Sequence, residues 1–306
     1  MKKNIPQKIA MIWLTIATVL LFSCTSGSEE LPSSLPTDDN TTTTDGIFTL
    51  KASIIDNEGH NITNRRSLNG ISLFIFDQNN SFHNRLEIDI QSIIDKRDIN
   101  ISCPGSDQIT VIAWGGSADL SEIISNLTKG SPMSDFMLKT SRNTNASNLP
   151  GDLFYGQVVI SRGNNRSTDL GHELIMRRKN SSISLVTKGL PKEIACCYTY
   201  KVKSADNGFN YNGVLTGDDI EYTIPAYFDD KGNLRMQKSS VLPSSAITIE
   251  LYKDNEPVFS IQKDEHQNDL SMKEGSEIQI ELEYNTTVSV KTTILPWTYI
   301  SQDIEF

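Results

Sequence analysis

The sequence predicts an all-β fold made of two antiparallel β-sandwiches with one short helix. From Ile47 onwards, short segments rich in apolar and β-branched residues recur between clusters of Asn, Gly, Asp and Ser. Residues 278–284 alternate almost cleanly between apolar and polar side chains, which is typical of a strand with one face in water. Only one stretch has good helical spacing, so a parallel sheet with alternating strands and helices is disfavoured.

The size and composition of the chain agree with two folded domains. Its 306 residues are enough for about two domains of roughly 100–200 residues each. With 37% hydrophobic and 22% charged residues, the chain is too apolar to be wholly disordered and too polar for a polytopic membrane protein. Its formal net charge of −10 makes nucleic acid a poor candidate partner.

Residues 1–23 have the pattern of a secretory signal. Three lysines precede an apolar stretch, residues 9–22, which falls short of the roughly 20 residues that span a membrane. The stretch ends in Leu21-Phe22-Ser23-Cys24, which resembles the lipobox of bacterial lipoproteins. In such proteins the cysteine receives a diacylglycerol, the chain is cut before it, and the new amino terminus receives a further acyl chain, commonly palmitate. The resemblance predicts lipidation at Cys24, and the alternative is an ordinary signal peptide that contains a cysteine.

Residues 24–45 are predicted to form a disordered tether. They consist almost entirely of small and polar residues, which bury too little surface to offset the entropy of ordering. The acidic pair Glu29-Glu30 resembles the surface-export signals of lipoproteins from Bacteroidetes. Cleavage after residue 23 removes three lysines and no acidic residue, so the mature chain is repelled by an anionic leaflet and needs its lipid for attachment.

A charged and polar cluster at residues 177–182 interrupts two apolar runs and predicts a domain boundary. It divides the folded part into domains of residues 46–179 and 180–306, each of suitable size for a sandwich. The predicted strands span residues 47–55, 71–76, 86–90, 109–114, 153–160, 170–176, 183–187, 198–202, 222–224, 246–252, 258–261, 278–284 and 288–295.

One helix is predicted at residues 120–127, where the apolar residues follow a helical period and Asp119 or Ser117 can cap the first turn. The preceding pair Gly115-Gly116 lacks the other residues of a phosphate-binding loop. We interpret it as a glycine turn between a buried strand and the helix.

The sequence contains no recognisable catalytic or metal-binding pattern, so we expect no enzyme activity, no cofactor and no metal site. No G-x-S-x-G motif marks a serine nucleophile. The four histidines lack zinc-site spacing and are expected at solvated positions: His60, His83, His172 and His266. Three acidic pairs allow calcium binding, although solvated turns explain them better: Asp38-Asp39, Asp218-Asp219 and Asp229-Asp230.

Besides Cys24, the chain contains Cys103, Cys196 and Cys197. Adjacent residues of a strand face opposite sides, so Cys196 and Cys197 are not expected to act as a ligand or redox pair. We expect one of the two in the core and the other available for a bridge to Cys103.

Six short motifs occur in order along almost the whole chain. They are the lipobox cysteine, residues 71–77 (ISLFIFD), 111–116 (VIAWGG), 152–156 (DLFYG), 174–178 followed by 183–186, and Leu295-Pro296-Trp297. Together they resemble the FimB/Mfa2 family of fimbrial anchor lipoproteins from Bacteroidetes. One departure is Asn79-Asn80 at a turn where glycine is expected, a small change because Asn tolerates positive φ.

This resemblance implies two tandem transthyretin-like sandwiches held by lipid at the cell outer membrane and exposed on its surface. The implied function is non-enzymatic: the protein attaches the base of a fimbrium through a stalk subunit and can limit fimbrial length. The alternatives are a glycan-binding surface lipoprotein and an accessory or tip adhesin. Trp114 is expected between the sheets of the first domain and Trp297 in the core of the second, which argues against sugar stacking.

Related stalk subunits lose an amino-terminal strand to an arginine-directed protease and then accept a strand from a neighbour. Here Arg65-Arg66 follows the first predicted strand. Cleavage at this pair would separate the folded body from its lipid, so we interpret the pair as an exposed loop.

Overall fold

The computed structural model describes residues 46–64, 69–116, 124–145, 151–162, 171–191, 197–284 and 288–296. Residues 44–306 form one compact unit. Its strands are β1 (Ile47–Ile55), β2 (Gly70–Phe76), β3 (Phe82–Asp89), β4 (Ile99–Ser102), β5 (Gln108–Gly116), β6 (Met137–Lys139), β7 (Asn143–Asn145), β8 (Leu153–Ser161), β9 (His172–Arg178), β10 (Ser181–Lys188), β11 (Tyr198–Ser204), β12 (Gly208–Asn210), β13 (Leu215–Thr216), β14 (Ile220–Phe228), β15 (Leu234–Val241), β16 (Ile247–Lys253), β17 (Glu256–Ile261), β18 (Ser276–Tyr284) and β19 (Val288–Pro296). Within the described residues, the helices are α1 (Ile90–Ile94) and a 3-10 turn at Met133–Asp135.

The first sandwich is a single sheet that curls back on itself. Its strand order is β3-β2-β5-β8-β9-β1-β4, and the curl lies between β8 and β9, where only Phe154–Arg178 and Tyr155–Arg177 are paired. Strands β3, β2, β5 and β8 therefore form one layer and β9, β1 and β4 the other. The apolar residues of each alternating strand meet between the layers, with Leu50, Leu73 and Leu174 fully buried.

The second sandwich has the same two-layer plan. Strands β17, β16, β11 and β14 form one layer, and β15, β10, β18 and β19 form the other. Here the curl lies in the β14–β15 hairpin, which pairs at Ala226–Met236, Tyr227–Arg235 and Phe228–Leu234. The core between the layers includes Tyr200, Tyr222 and Leu251, all of which are fully buried.

The all-β sandwich class is confirmed, and each sandwich also contains a parallel pair of strands. In the first sandwich β1 pairs parallel with β9. In the second, β10 pairs parallel with β18. Parallel neighbours must be joined by a long crossover. The first strand of each sandwich, β1 or β10, therefore pairs with a strand, β9 or β18, that comes near the end of the same sandwich in the chain.

A third apolar cluster, which we call the joint cluster, connects the two sandwiches. It lies on the outer face of the β2–β5 layer and includes residues from the second half of the chain. Its buried members are Phe74, Phe76, Phe82, Ile112, Trp114, Ile124, Phe136, Leu138, Leu153, Phe209 and Leu242. Its members Leu138 of β6 and Phe209 of β12 lie opposite each other where these two strands pair, so a β ladder links the two halves of the chain within the cluster.

Trp114 is the largest side chain of the joint cluster, and its position corrects our expectation. We expected it between the layers of the first sandwich, but it lies on the outer face. Its ring centroid is 5.3 Å from that of Phe209 and 5.0 Å from that of Tyr155. It is fully buried, as expected. The alternation of β5 explains the difference, since Val111 and Ala113 occupy the inner face.

The helix prediction at residues 120–127 was wrong over the part that the structure describes. Residues 124–127 are not helical, and Ile124 forms an isolated antiparallel bridge with Leu138. The short helix lies instead at Ile90–Ile94, where the Asp89 side chain caps it by accepting from the Ser92 amide. Ile124 is buried in the joint cluster, so its packing against distant residues, and not the helical spacing of the sequence, determines the local conformation.

The interpretation of Gly115-Gly116 as a turn was also wrong, because both residues belong to β5. They are needed for close packing. A Cβ on Gly116 would lie 1.8 Å from the Asp152 carbonyl oxygen, and one on Gly115 would lie 2.6 Å from the Ile71 side chain.

Asn79-Asn80 does form the turn between β2 and β3. Asn80 has a φ of 58°, and its amide donates to the Asp77 carbonyl.

Candidate anchoring and docking surfaces

The described chain enters the first sandwich at Gly46, in a position that only glycine can occupy. Gly46 has a φ of 90°, and a Cβ there would lie 2.5 Å from the Pro104 Cα. Its carbonyl accepts a hydrogen bond of 2.6 Å from the Cys103 amide. The chain is therefore fixed against the end of β4 before β1 begins.

Strand β1 is firmly held because it has a neighbour on each side. It pairs antiparallel with β4 over Ile47–Leu50 and parallel with β9 over Leu50–Ile55. Leu50 and Ile54 are fully buried, and each such side chain contributes roughly 1.5–3 kcal/mol. A force along the strand at Gly46 must break both ladders together, so β1 is suited to transmit load from the segment before it.

Three earlier predictions lie outside the described residues. These are the lipidation site Cys24 with its tether, the exposed loop at Arg65-Arg66, and the core position of Trp297. In the part of the chain that is described, no helix is long and apolar enough to cross a membrane.

Polar contacts reinforce the junction between the sandwiches. Asn180 is fully buried between β9 and β10; its side chain accepts from the Leu153 amide at 3.1 Å and donates to the Gly151 carbonyl at 2.9 Å. The Asn57 side chain donates to the Gly275 carbonyl at 2.9 Å, and Lys179 pairs with Glu274 at 2.7 Å. These contacts join loops of both halves and limit bending at the short Lys179–Asn180 link.

Three of the four openings between sandwich layers are closed by described elements. We call such an opening a seam. In the first sandwich, α1 closes the β3/β4 seam by placing Ile93 in the core. In the second, the loop at Glu265 closes the β17/β19 seam, since its carboxylate accepts from the Thr292 amide at 2.9 Å and from the Thr292 hydroxyl at 3.0 Å. Hydrogen bonds from its own main chain and from Thr292 lower the pKa of Glu265.

The β14/β15 seam of the second sandwich is closed by a strand from the first half of the chain. Strand β7 pairs parallel with β14 at Glu221–Thr223, on the edge of β14 that faces away from β11. Next to it, the Tyr222 hydroxyl accepts from the amide of buried Leu242 at 2.9 Å. Burial raises the pKa of Tyr222, which keeps this hydroxyl neutral.

One group of side chains has metal-ligand chemistry, although local turn geometry explains it. Ligand atoms of Asp56, Glu58 and His60 lie within 4.8 Å of one another. Burial raises the pKa of Asp56, but hydrogen bonds from His60 and Glu58 outweigh it and lower the pKa overall. Because the Asp56 carboxylate accepts from both main-chain amides, the cluster is a solvent-exposed turn.

Among the described residues, the other polar candidates form no further cluster with metal-ligand geometry. His60 and His266 are exposed, and His83 and His172 are half-buried at separate strands. Asp229 organises the β14–β15 turn; burial acts to raise its pKa, but the Arg235 side chain and the Asn233 amide and side chain lower it to about 2. Cys103 is buried and Cys197 exposed, both as free thiols, and Cys196 lies outside the described residues.

One sizeable cavity offers no aromatic platform for a sugar. A cavity of about 680 Å³ at one end of the second sandwich is lined by polar and charged side chains that include Lys203, Glu221 and Asp269, with no aromatic ring among its described residues. Tyr227, which is 54% exposed, borders a smaller groove of about 380 Å³. Trp114 is inaccessible and cannot stack on a sugar ring.

The sequence as a whole matches a known family. The model of the fimbrillin-A associated anchor proteins Mfa1 and Mfa2 matches residues 40–303. This chain belongs to that family. The matched range covers both sandwiches of this fimbrial anchor family member, so the earlier resemblance is confirmed. A comparison with curated proteins found no match.

Solved structures share the fold of this family member at low sequence identity. The fimbrial anchor protein Mfa2 from Porphyromonas gingivalis aligns with a TM-score of 0.61 and 14% identity, covering 82% of this chain and 97% of that one. A DUF1812 protein from Bacteroides thetaiotaomicron, described as a polysaccharide-binding candidate, aligns with a TM-score of 0.60 and 16% identity over 84% and 98%. An adhesin candidate from Bacteroides ovatus aligns with a TM-score of 0.60 and 12% identity over 85% and 96%.

Proposed function

We propose that this protein is a lipid-anchored fimbrial subunit that attaches the base of a fimbrium to the outer membrane and limits its length. In this proposal Cys24 carries the lipid, residues 24–45 form the tether, and domains of residues 46–179 and 180–306 form the body. The body is surface-exposed, has no enzymatic activity, and binds a fimbrial stalk subunit.

The observation that carries the proposal is the match of the anchor family to residues 40–303. The geometry of β1 supports it, because the strand that follows the tether is enclosed by β9 and β4 and suited to bear load. The contacts at Asn180 and the joint cluster support it too, since they connect the two sandwiches into one body that can pass load between a membrane and a filament.

The alternative of a glycan-binding lipoprotein has one weak structural observation in its favour. Tyr227 is exposed beside Arg235 at a surface groove. A single ring without a facing partner gives little stacking surface, so the fimbrial anchor remains the better-supported function.

Lipidation is tested by Cys24→Ala in cells, with Cys197→Ala as the matched control because Cys197 is an exposed free thiol in the body. An acidic chain is repelled by an anionic leaflet, so Cys24→Ala is expected to leave the membrane fraction while Cys197→Ala stays there. The measurement is the distribution of each variant between membrane and soluble fractions after a high-salt wash. Retention of Cys24→Ala in the washed membranes contradicts the lipid anchor.

A further inference from the structure

The fourth seam, between β8 and β9 of the first sandwich, is not closed by any described element. Beyond the paired residues Tyr155 and Arg177, the two strands diverge into opposite layers. Gly156 is the last point of close approach between the two strands, because a Cβ there would lie 2.6 Å from the Ile175 carbonyl oxygen. We call the facing main-chain edges of residues 156–161 and 172–176 the β8/β9 seam.

The main-chain groups of β8 that face this seam can be assigned from the hydrogen bonds at its start. The Leu153 carbonyl accepts from the Lys179 amide, on the side of β8 opposite β5. Since alternate residues of a strand direct their N–H and C=O groups to the same side, those of Gln157, Val159 and Ser161 also face the seam. Among the described residues, none of these three residues forms a ladder pair on that side.

Exposed apolar side chains flank the same opening. Val159 on β8 is 50% exposed, and Ile175 on β9 is 43% exposed. Val158 lines the inner side and is only partly buried against the first core. An unpaired strand edge with adjacent apolar side chains is the surface that strand addition requires.

The second sandwich shows on this chain what kind of group fills such an opening. The corresponding edge of β14 is covered by β7, an extended segment that comes from outside the second sandwich and pairs through its main chain. The β8 edge has the same relation to its own sandwich, and no described segment covers it.

We infer that the β8/β9 seam is the docking site for an extended strand of the fimbrial subunit that this protein holds, a step that rests on the proposed function. The strand pairs with β8 through Gln157, Val159 and Ser161. Alternate apolar side chains of the strand contact Val159 on one face and Val158 on the other, so the partner segment has apolar residues at every second position.

The test is hydrogen exchange of the full chain, alone and with fimbriae sheared from cells that lack this protein. We expect the amides of Gln157, Val159 and Ser161 to exchange rapidly in the free protein and slowly in the complex. If the fimbriae bind and these amides still exchange rapidly, the seam is not the docking site, although the anchor function stands. If the fimbriae do not bind, the anchor function itself fails. Slow exchange in the free protein means that the chain closes its own seam, and the inference is overturned.

A proline variant tests the main-chain contact separately. Val159→Pro removes an N–H that faces the seam and leaves the β5–β8 ladder intact, since that ladder uses the alternate residues. The matched control is Ile294→Pro, because Ile294 lies on edge strand β19, is 52% exposed, and directs its N–H to the same side as Thr292. Val159→Pro is expected to weaken fimbrial binding by about tenfold or more, and Ile294→Pro by less than about twofold.

Two valine-to-lysine variants test the docking site in case the proline variant does not fold. Val159→Lys places a charge where the strand docks, and Val214→Lys places one at a similarly exposed valine of the second half, 56% exposed. We expect only Val159→Lys to weaken binding, with both variants melting like the parent. Equal binding by the two folded lysine variants overturns the inference.

Discussion

The two sandwiches have the same layers in space but reach them by different chain paths. In the first sandwich, the β2–β3 hairpin that forms half of one layer follows directly after β1, before the curl at β8–β9. In the second, the equivalent hairpin β16–β17 comes after the curl at β14–β15. The same two-layer arrangement is thus formed from two different orders of strands along the chain. We infer that burial of the alternating apolar faces determines this arrangement, and that the order of the strands does not.

The sandwiches also differ at the curl itself. In the second sandwich β14 and β15 are joined by a tight turn in which Asp229 accepts from the amides of Lys231 and Asn233, and β7 closes the seam beside it. In the first sandwich β8 and β9 are joined through residues 162–171 and their seam has no described cover. The described residues therefore cover the curl of the second sandwich and leave the β8 edge of the first, the edge that we propose receives a partner strand, uncovered.

The largest effect is expected at the joint cluster, which connects the two regions. Trp114→Ala removes a fully buried ring that contacts Phe209 from the second half, and is expected to cost roughly 3–5 kcal/mol. Calorimetry of the variant should show both sandwiches melting earlier. Trp114→Phe is the control and should lose much less, because the Trp114 indole nitrogen has no hydrogen-bond partner among the described residues that the change would remove.

A Trp114→Ala variant in which only the first sandwich melts earlier would separate the two regions energetically. In that case the joint cluster belongs to the first sandwich alone, and the load path through the body has to run through the Asn180 junction.

A smaller loss of stability is expected at the β14/β15 seam of the second sandwich. Tyr222→Phe leaves the amide of buried Leu242 without its partner, which costs roughly 1–3 kcal/mol. Tyr252→Phe is the control, because its hydroxyl bonds Glu250 near the surface and its removal should change stability little. Chemical denaturation of both variants measures the difference, and equal stabilities would show that Tyr222 does not hold this seam.

The smallest effect concerns the β14–β15 turn and depends on pH. Since the pKa of Asp229 is lowered from 3.8 to about 2, its carboxylate contributes stability that is present above its unfolded pKa and lost as the pH falls through about 2. The melting temperatures of the parent and Asp229→Asn should therefore differ at neutral pH and converge between about pH 4 and pH 2. A difference that stays constant across this range contradicts the role of the charge.

Much of the fold could be predicted from the sequence, because local alternation marks most of the strands. All of the predicted strand segments overlap strands of the structure. Strand β15 was missed because residues 237–240, within Leu234–Val241, are all polar. Strands β6, β7 and β12 were missed because each has three residues, too few for a period.

The candidate surfaces were less predictable, since they depend on contacts between distant segments. Nothing near Asn143 in the sequence indicates that β7 pairs with β14, about eighty residues further on. The predictions at Ile124 and Gly116 were wrong for the same reason. The helical period at Ile124 suggested a helix, but pairing with Leu138 determines its conformation. The glycine pair at Gly116 suggested a turn, but close approach to the Asp152 main chain explains it.

The central claim, that a lipid-held body retains the fimbrium, is tested most directly by counting attached and shed fimbriae. Cells that lack this protein are compared with the same cells carrying the parent chain, Cys24→Ala or Cys197→Ala, with fimbriae quantified by electron microscopy of cells and of the culture fluid. We predict attached fimbriae with the parent and Cys197→Ala, and mainly shed fimbriae without the protein or with Cys24→Ala. Fimbriae that stay attached in equal number when the protein is absent contradict the claim.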